Sequence, residues 1–313
     1  MSNKAYLVTG GAGFIGSNIV DELVKRGKEV IVVDNFCTGS RQNLAHIEKE
    51  IELIEGDIRD AKLMNDLCGK CSYVLHQAAL RSVPRSVDDP VATNEVNISG
   101  TLNLLVAARD RGIKRFVYAS SSSAYGDTPA LPKIESQRPL PISPYAVSKL
   151  TGEHYCRTFS RTFDLETVSL RYFNVFGPRQ SPESKYAAVV PIFIKQAMND
   201  QPLTIHGDGE QSRDFSFVKN VVNANILAAE AEGVAGEVFN IACSNRYSVL
   251  QVAAEILLNL NKEVPYEHLP SRAGDVRHTQ ADISKAEEKL GYKVEFSFKE
   301  GMKETVNSFL PEA

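Results

Sequence analysis

This chain of 313 residues has little that would tie it to a membrane, a nucleic acid or a metal. No apolar run approaches the ~20 residues that a membrane-spanning helix requires. The opening Met1-Ser-Asn-Lys-Ala-Tyr6 enters a strand directly, without a charged-then-apolar leader. Formal charge is only −4 with both signs interspersed, so no sequence-independent grip on nucleic acid is expected. There are no internal repeats, no low-complexity tracts and no Pro/Ser linker. Five cysteines are an odd number and too few for a disulfide scaffold, which points to a reduced, cytoplasmic setting. Cys68 and Cys71 alone lie close together. No second pair and no histidines at matching spacing accompany them, so they read as two packed or solvated thiols and no metal site is expected. A chain of this length buries roughly three quarters of its unfolded surface and needs no staple.

What the sequence does have is alternation. Ala5–Thr9 is a short apolar strand, and Phe14–Lys25 carries Ile15, Ile19, Leu23 and Val24 as a helical stripe closed by Gly27. Val30–Val33 is apolar throughout, as strands buried on both faces are. Ile51–Ile54, Tyr73–Leu75, Phe116–Ala119 and Glu166–Leu170 continue the series, with helical stretches such as Gly100–Arg111 between them. The pattern predicts an α/β fold with a doubly wound parallel sheet. After Arg171 it changes: 177–182 and 207–211 are loop-rich, and the last stretch is helical with short strands. A second, packed lobe is expected there, with ligand in the cleft outside the carboxyl ends of the strands.

Gly11-Ala-Gly-Phe-Ile-Gly16 fits the spacing G-x-G-x-x-G, and Gly10, Gly13 and Gly16 fit G-x-x-G-x-x-G. Such glycines let the backbone turn tightly against a pyrophosphate, and the helix that follows, opening on Phe14 and Ile15, offers free N–H groups and the positive end of its dipole. Asp34 ends the next strand, where a carboxylate accepts from ribose hydroxyls and repels a 2′-phosphate. NAD is therefore favoured over NADP, and Asn35 agrees, although Arg41 stands nearby. Asp57-Ile58, Gln77-Ala78-Ala79 and Asn97 fall at strand ends or a helix start, where the rest of a dinucleotide would pass. Asp57 fits a helix cap equally well.

Ser143-Pro-Tyr-Ala-Val-Ser-Lys149 opens a helix, with serine as N-cap and proline in the first turn. Tyr145 and Lys149 are then i and i+4, on one face. A free phenol titrates near 10, too high for a base at neutral pH. A neighbouring ammonium and a positive nicotinamide ring are expected to lower it, making Tyr145 the base toward an alcohol and Lys149 its partner and a ribose ligand. Ser120–Ser123 follow a strand at the same edge, placing one or two hydroxyls on the reacting oxygen. The bland reading of that run is a solvated polar turn.

These residues resemble the extended short-chain dehydrogenase/reductases, and within them the nucleotide-sugar 4-epimerases. The resemblance rests on Thr9–Gly16, Asp34-Asn-Phe36, His76–Ala79, the serine run with Tyr125-Gly126, Tyr145 with Lys149, and Arg171–Gly177. Gly207–Asp214 and Gly274–His278 add to it, so that it spans nearly the whole chain. It implies a Rossmann-type domain over 1–171, with 214–242 returning to it, and a UDP-sugar-binding lobe from 172–213 and 243–313. It implies oxidation of the sugar at C4 by tightly held NAD and reduction on the other face, in a homodimer. By resemblance, Ser121 and Ser123 join Tyr145 and Lys149 in the chemistry, and Gly39 and Tyr172 touch the cofactor. Arg213 and Arg272 hold the diphosphate, Asp275 the uridine ribose, and Asn174 a phosphate or sugar oxygen. Ser122, Ala188, Val189 and Thr279 line the hexose pocket. For the arginines and Asp275, surface salt bridges are the competing reading.

Related dehydratases carry an Asp-Glu pair in the serine stretch and related decarboxylases a glutamate. Here that stretch has Ser122-Ser123, which leaves re-reduction of the ketone. Thr279 stands where a tyrosine in the family excludes an acetamido group. UDP-N-acetylglucosamine and UDP-N-acetylgalactosamine are thus the expected pair, with UDP-glucose and UDP-galactose as a further one. Arg81 departs from the N-acetyl-selective pattern and keeps UDP-glucuronate open. A non-catalytic sugar-nucleotide sensor on the same fold is the reading from another class, and the intact Tyr145, Lys149 and serines argue against it.

Overall fold

The computed structural model describes residues 5–183, 188–270 and 276–310. Seven parallel strands form one sheet: β1 (Ala5–Thr9), β2 (Val30–Asp34), β3 (Glu52–Glu55), β4 (Cys71–His76), β5 (Arg115–Ser121), β6 (Thr167–Tyr172) and β7 (Glu237–Ile241). Their spatial order is β3-β2-β1-β4-β5-β6-β7, so the chain reverses direction across the sheet between β1 and β4. That reversal opens a crevice at the carboxyl ends of the strands. The expected strands are all present, shifted by a residue or two. β7 arises from the stretch expected to return to the first domain, and it pairs in parallel with β6.

The strands are apolar on both faces because both faces are covered. Val8, Val32 and Leu75 pack with Ile19 and Leu23 of α1 (Phe14–Lys25) on one side. Leu7, Ile31, Val33 and Val74 face Met64 of α2 (Ala61–Cys68) and Leu104 of α3 (Thr101–Asp110) on the other. Phe159 of α4 (Pro144–Thr162) joins that second layer. Ser143 caps α4 through the Ala146 N–H at 3.1 Å, with Pro144 in the first turn, as the sequence predicts. Gly152 lets α4 lie close on the sheet, since a Cβ there would come within 2.3 Å of the Tyr118 ring.

The later part of the chain builds α5 (Val189–Met198), α6 (Val218–Glu230) and α7 (Val249–Leu260), with α6 beside α1 on the same face of the sheet. Short strand pairs hold the smaller lobe together, 203–206 with 266–269 and 212–213 with 247–248. Cys68 closes α2 and Cys71 opens β4. Both are buried, unbridged thiols, and burial pushes each up to about 12. They are inert packing groups. Among the described residues no helix is long and apolar enough to cross a membrane, and no cluster suited to a metal is found.

Below the carboxyl end of β4, the buried His76 ring lies between Thr9 Oγ1 at 2.7 Å and Thr101 Oγ1 at 2.9 Å. Burial is the main cause, with the Lys149 charge second, of a depression of its pKa to about 3. The native ring therefore refuses a proton that the unfolded chain accepts near pH 6.5. Its contribution to stability is intact above that pH and is lost as pH falls toward 3. Stability should decline by up to about 1.4 kcal/mol per pH unit below pH 6.5 from this group alone. Denaturant titrations between pH 7.5 and 5 would show it, and His76→Asn should flatten the slope. An equally steep profile in the variant would remove His76 as the cause.

Candidate active site

The crevice is a cleft of about 1040 Å³, open solvent at its mouth included, and it is framed at one end by the glycine turn. Gly10 has φ +67°, and a Cβ there would sit 2.7 Å from Ala78 Cα. A Cβ on Gly16 would come within 2.2 Å of the Gly10 carbonyl oxygen, so the first turn of α1 can press against the loop only with glycine there. Gly13 is the N-cap of α1 and no side chain caps the helix, which leaves its first amides available to an anion. Gly10, Gly13, Phe14, Ile15 and Gly16 all line the cleft.

Asp34 closes β2 and is nearly buried. Its two oxygens accept from the Ala12 N–H at 3.0 Å and the Phe36 N–H at 2.8 Å. Burial raises its pKa and those two amides lower it. Asn35 donates to Asp57 at 2.9 Å, and Asp57 receives the fork of Arg59 at 3.0 and 2.9 Å. The guanidinium holds that carboxyl down to about 2. Asp57 does not cap α2; Asp60 does, accepting from the Leu63 N–H at 2.9 Å. Arg41 lies 4.2 Å over the Phe36 ring and pairs with the exposed Glu55 at 2.5 Å. The cradle and this carboxylate fit NAD.

The expected Asn35, Asp57, Ile58, Gln77, Ala78 and Ala79 line the same cleft. So does Tyr172, with its hydroxyl tied to Asn225 at 3.0 Å and Gln77 at 3.2 Å. Two expected cofactor residues do not line it. Asn97 lies in a π-helical turn, 95–100, and spends its amide on the Leu80 N–H and C=O at 2.8 and 3.0 Å and on Ser148 Oγ at 3.0 Å. It is a clamp on the loop after β4. Gly39 stands behind the wall, where a Cβ would meet Ala12 and the Asp34 carboxylate at about 3 Å. Thr38, Leu80 and Val96 do line the cleft and were not foreseen. Thr38 and Leu80 arrive on loops that carry no periodic signal, and Val96 on the π-helical turn 95–100.

At the other end Tyr145 and Lys149 project from one face of α4 into the cleft. Lys149 Nζ donates to the Ala119 carbonyl at 2.8 Å and lies 5.1 Å from the Tyr118 ring. Burial lowers its pKa to about 8. The expected fall in the Tyr145 pKa is not found in the protein alone. Burial raises it, a hydrogen bond with Ser121 and the positive Arg81 pull it back, and Lys149 is not among the causes. The ammonium is turned toward a backbone carbonyl instead. Ser123 Oγ lies 2.9 Å from Ser121 Oγ, which links the two serines to the phenol.

Of the serine run, Ser120 lines the cleft, whereas the expected Ser121, Ser122 and Ser123 are not among its lining residues. Its hydroxyl donates to the buried Glu153 carboxylate. Glu153 in turn receives Arg171 through two bonds, at 2.9 and 2.7 Å. Arg81 lines the cleft beside Tyr145.

Of the remaining expected substrate residues, Asn174, Ala188, Val189, Arg213 and Thr279 belong to the later part of the chain. Asn174, at φ +31°, donates to the Asp214 carbonyl at 3.1 Å and lies 3.4 Å from Thr279 Oγ1. Arg213 reaches the Ser212 and Arg277 carbonyls at 3.0 and 3.1 Å. Ala188 and Val189 form the N-cap and first residue of α5. Arg272 and Asp275 lie outside the described residues.

A phosphate-cradling glycine turn, an acid at the second strand and a Tyr–Lys face over the same cleft define a nicotinamide-dependent site that acts on an alcohol carbon. The model of the NAD dependent epimerase/dehydratase family matches residues 6–242, and the chain belongs to that family. NAD is its cofactor. The chain is 38% identical over 307 residues to UDP-glucose 4-epimerase of Mycolicibacterium smegmatis, covering 97% of both. It is 41% identical, with a TM-score of 0.94 and 99% of both chains covered, to UDP-N-acetylglucosamine 4-epimerase from Methanobrevibacter ruminantium M1 in complex with UDP-N-acetylmuramic acid. It is 33% identical, with a TM-score of 0.90 and 97% and 98% covered, to UDP-glucuronic acid 4-epimerase from Bacillus cereus in complex with UDP-glucuronic acid and NAD.

The glycine geometry carries a prediction. Gly16→Ala must push α1 off the turn, and NAD affinity should fall by more than about tenfold, roughly 1.4 kcal/mol. Purified wild-type protein should keep its NAD, whereas the variant should elute stripped. Full NAD occupancy in the folded variant would sink this account of the cradle.

Proposed function

We propose that this enzyme interconverts the C4 epimers of a UDP-hexose, with UDP-N-acetylglucosamine and UDP-N-acetylgalactosamine as its preferred pair. The observation that carries the reaction type is the state of the acids around Tyr145. Asp34 and Asp57 stand at the far, adenosine-facing end of the cleft, and Glu153 is locked by Arg171 and Ser120. Elimination or decarboxylation after oxidation calls for a free acid or base beside the sugar, and the serine stretch supplies none. The ketone is then left to be reduced.

When bound, NAD supplies a reversible hydride acceptor for C4 and a positive ring that favours the phenolate. The chain's residues handle the proton. Tyr145 takes it from the C4 hydroxyl and returns it, while Ser121, already bonded to that phenol, steadies the oxygen as its charge changes. Lys149 fixes the cofactor ribose and the α4 face. Residues 1–171 with 214–242 act as the cofactor domain. Residues 172–213 and 243–313 grip the UDP through Arg213 and Arg272, with Asp275 on the ribose. The enzyme works in a reduced, cytoplasmic compartment as a homodimer, for which exposed Val87, Val91, Ile142 and Val147 offer an apolar face.

The N-acetyl preference is supported by the small Thr279 side chain beside Asn174 and by the likeness to the Methanobrevibacter enzyme. A second reading has its own observation. Arg81 stands beside Tyr145, and C6 hangs one carbon from C4, so a C6 carboxylate would fall near that guanidinium. UDP-glucuronate is that reading, and the Bacillus cereus enzyme supports it. Product ratios from UDP-glucose, UDP-N-acetylglucosamine and UDP-glucuronate assayed side by side decide between them.

Two variants test the roles. Tyr145→Phe removes only the proton acceptor, so kcat should fall by about 10²–10⁴-fold while UDP and NAD binding stay near wild type. Turnover within a few-fold of wild type would contradict it. Thr279→Tyr fills the space assigned to the 2-substituent. The kcat/KM for UDP-N-acetylglucosamine should drop at least about tenfold relative to UDP-glucose, roughly 1.4 kcal/mol. An unchanged ratio would take Thr279 out of the hexose pocket.

A further inference from the structure

On the opposite side of α4 from Tyr145 lies a second cavity, between the outer face of that helix, the loop 134–139 and the start of β7. Its walls are unusually basic for a chain of net charge −4. Arg157 and Arg161 come from α4, Arg138 from the loop, and Arg171 from the buried end of β6. Leu150 and His154 precede the two α4 arginines along the same helical stripe.

The acids of the cavity are already committed. Glu153 is taken by Arg171 and Ser120, Glu237 by Lys285 and Lys289, and Glu135 by the Asn240 N–H at 2.7 Å. No ion pair or hydrogen bond of the Arg138, Arg157 or Arg161 side chain is found among the described residues. Elsewhere the exposed Arg26, Arg41, Arg59 and Arg277 each have an acid within reach. Three unpaired guanidinium groups from two separate elements converge on one concavity. At its floor Arg171, 4% exposed, keeps its Nη1 without a hydrogen-bond acceptor. A solvated basic face would have neither the concavity nor the buried guanidinium beneath it.

We propose that this cavity is a second anion site, built for a phosphorylated ligand of diphosphate size and separate from the NAD and UDP sites. Guanidinium forks match phosphate oxygens bidentately, and two or three of them are enough for a compact polyanion. The site is also wired to the chemistry. An anion drawing on Arg171 loosens its grip on Glu153, and Glu153 holds Ser120, which lines the cofactor cleft. Occupancy should thus be felt as a change in kcat more than in KM for the sugar nucleotide.

The probe is inorganic pyrophosphate, titrated calorimetrically into NAD-loaded enzyme saturated with UDP, so that both known diphosphate positions are filled. Binding that persists under these conditions is expected, weakening at least tenfold in Arg157→Ser/Arg161→Ser and separately in Arg138→Ser. These exposed residues lie outside the active site, so each variant should keep wild-type turnover without pyrophosphate and lose the effect of pyrophosphate on kcat. ADP serves as a second arm. Tighter binding than pyrophosphate would identify a nucleotide as the ligand, and equal binding a free phosphate ester or pyrophosphate. No binding to the UDP-saturated enzyme, or binding that the variants leave unchanged, would overturn the proposal, whether or not the epimerase reading stands.

Discussion

The ion pair of Arg171 with Glu153 holds the active-site edge of the sheet in one arrangement. Both side chains are 4% exposed, so the pair bears a desolvation cost of several kcal/mol per ion before it contributes anything. Two features offset it: a forked contact at 2.9 and 2.7 Å, and a third partner in Ser120. Arg171 also stacks 4.5 Å over Tyr125, whose hydroxyl donates to Asn240 at 2.7 Å. Strands β5, β6 and β7 and helix α4 are thereby pinned to one another at the point where Ser121 must meet Tyr145. Removing either charge would leave the other buried and unpaired, the costly way to break such a pair.

The same burial governs Tyr145 and Lys149, the proposed acid/base pair. Lys149 is buried and Tyr145 half-buried, and withdrawal from water favours the neutral form of each. The ammonium moves down to about 8 and the phenol moves up. A site built this way keeps its proton on Tyr145 until a positive charge arrives with the cofactor, so chemistry and cofactor occupancy are coupled by electrostatics alone. Reading the i, i+4 spacing as a direct ammonium–phenolate pair placed the two groups on the right helix face. It missed the Ala119 carbonyl, which claims the ammonium from a strand 30 residues earlier.

That contrast describes what was legible. The sheet could be read because all-apolar strands separated by helical stripes allow few other folds, and the α4 start because Ser143 and Pro144 act through their own backbone. The Gly10–Gly16 turn was legible for the same local reason. The set-back placement of Asn97 and Gly39 was not, because it depends on Leu80 and Ser148 in one case and on Ala12 in the other, which are remote in sequence. Ser120 was ambiguous within a run of four serines. Only the pleat of β5 and the position of Glu153 decide which hydroxyl points at the helix and which at the phenol.

The two ends of the cleft also differ in how firmly they are built. At the end assigned to the adenosine the charged groups named above have partners in the protein: Asp34 with two amides, Asp57 with Arg59 and Asn35, Arg41 with Glu55. A ligand there meets a wall already in place and loses little to ordering it. At the place proposed for the hexose, Asn174 and Thr279 touch at only 3.4 Å. A sugar that must present first one face and then the other of C4 is better served by weak, replaceable contacts than by a fitted pocket, since each strong contact to one orientation is a barrier to the other. In the proposed reaction, firm binding belongs to the parts of the ligands that do not turn over.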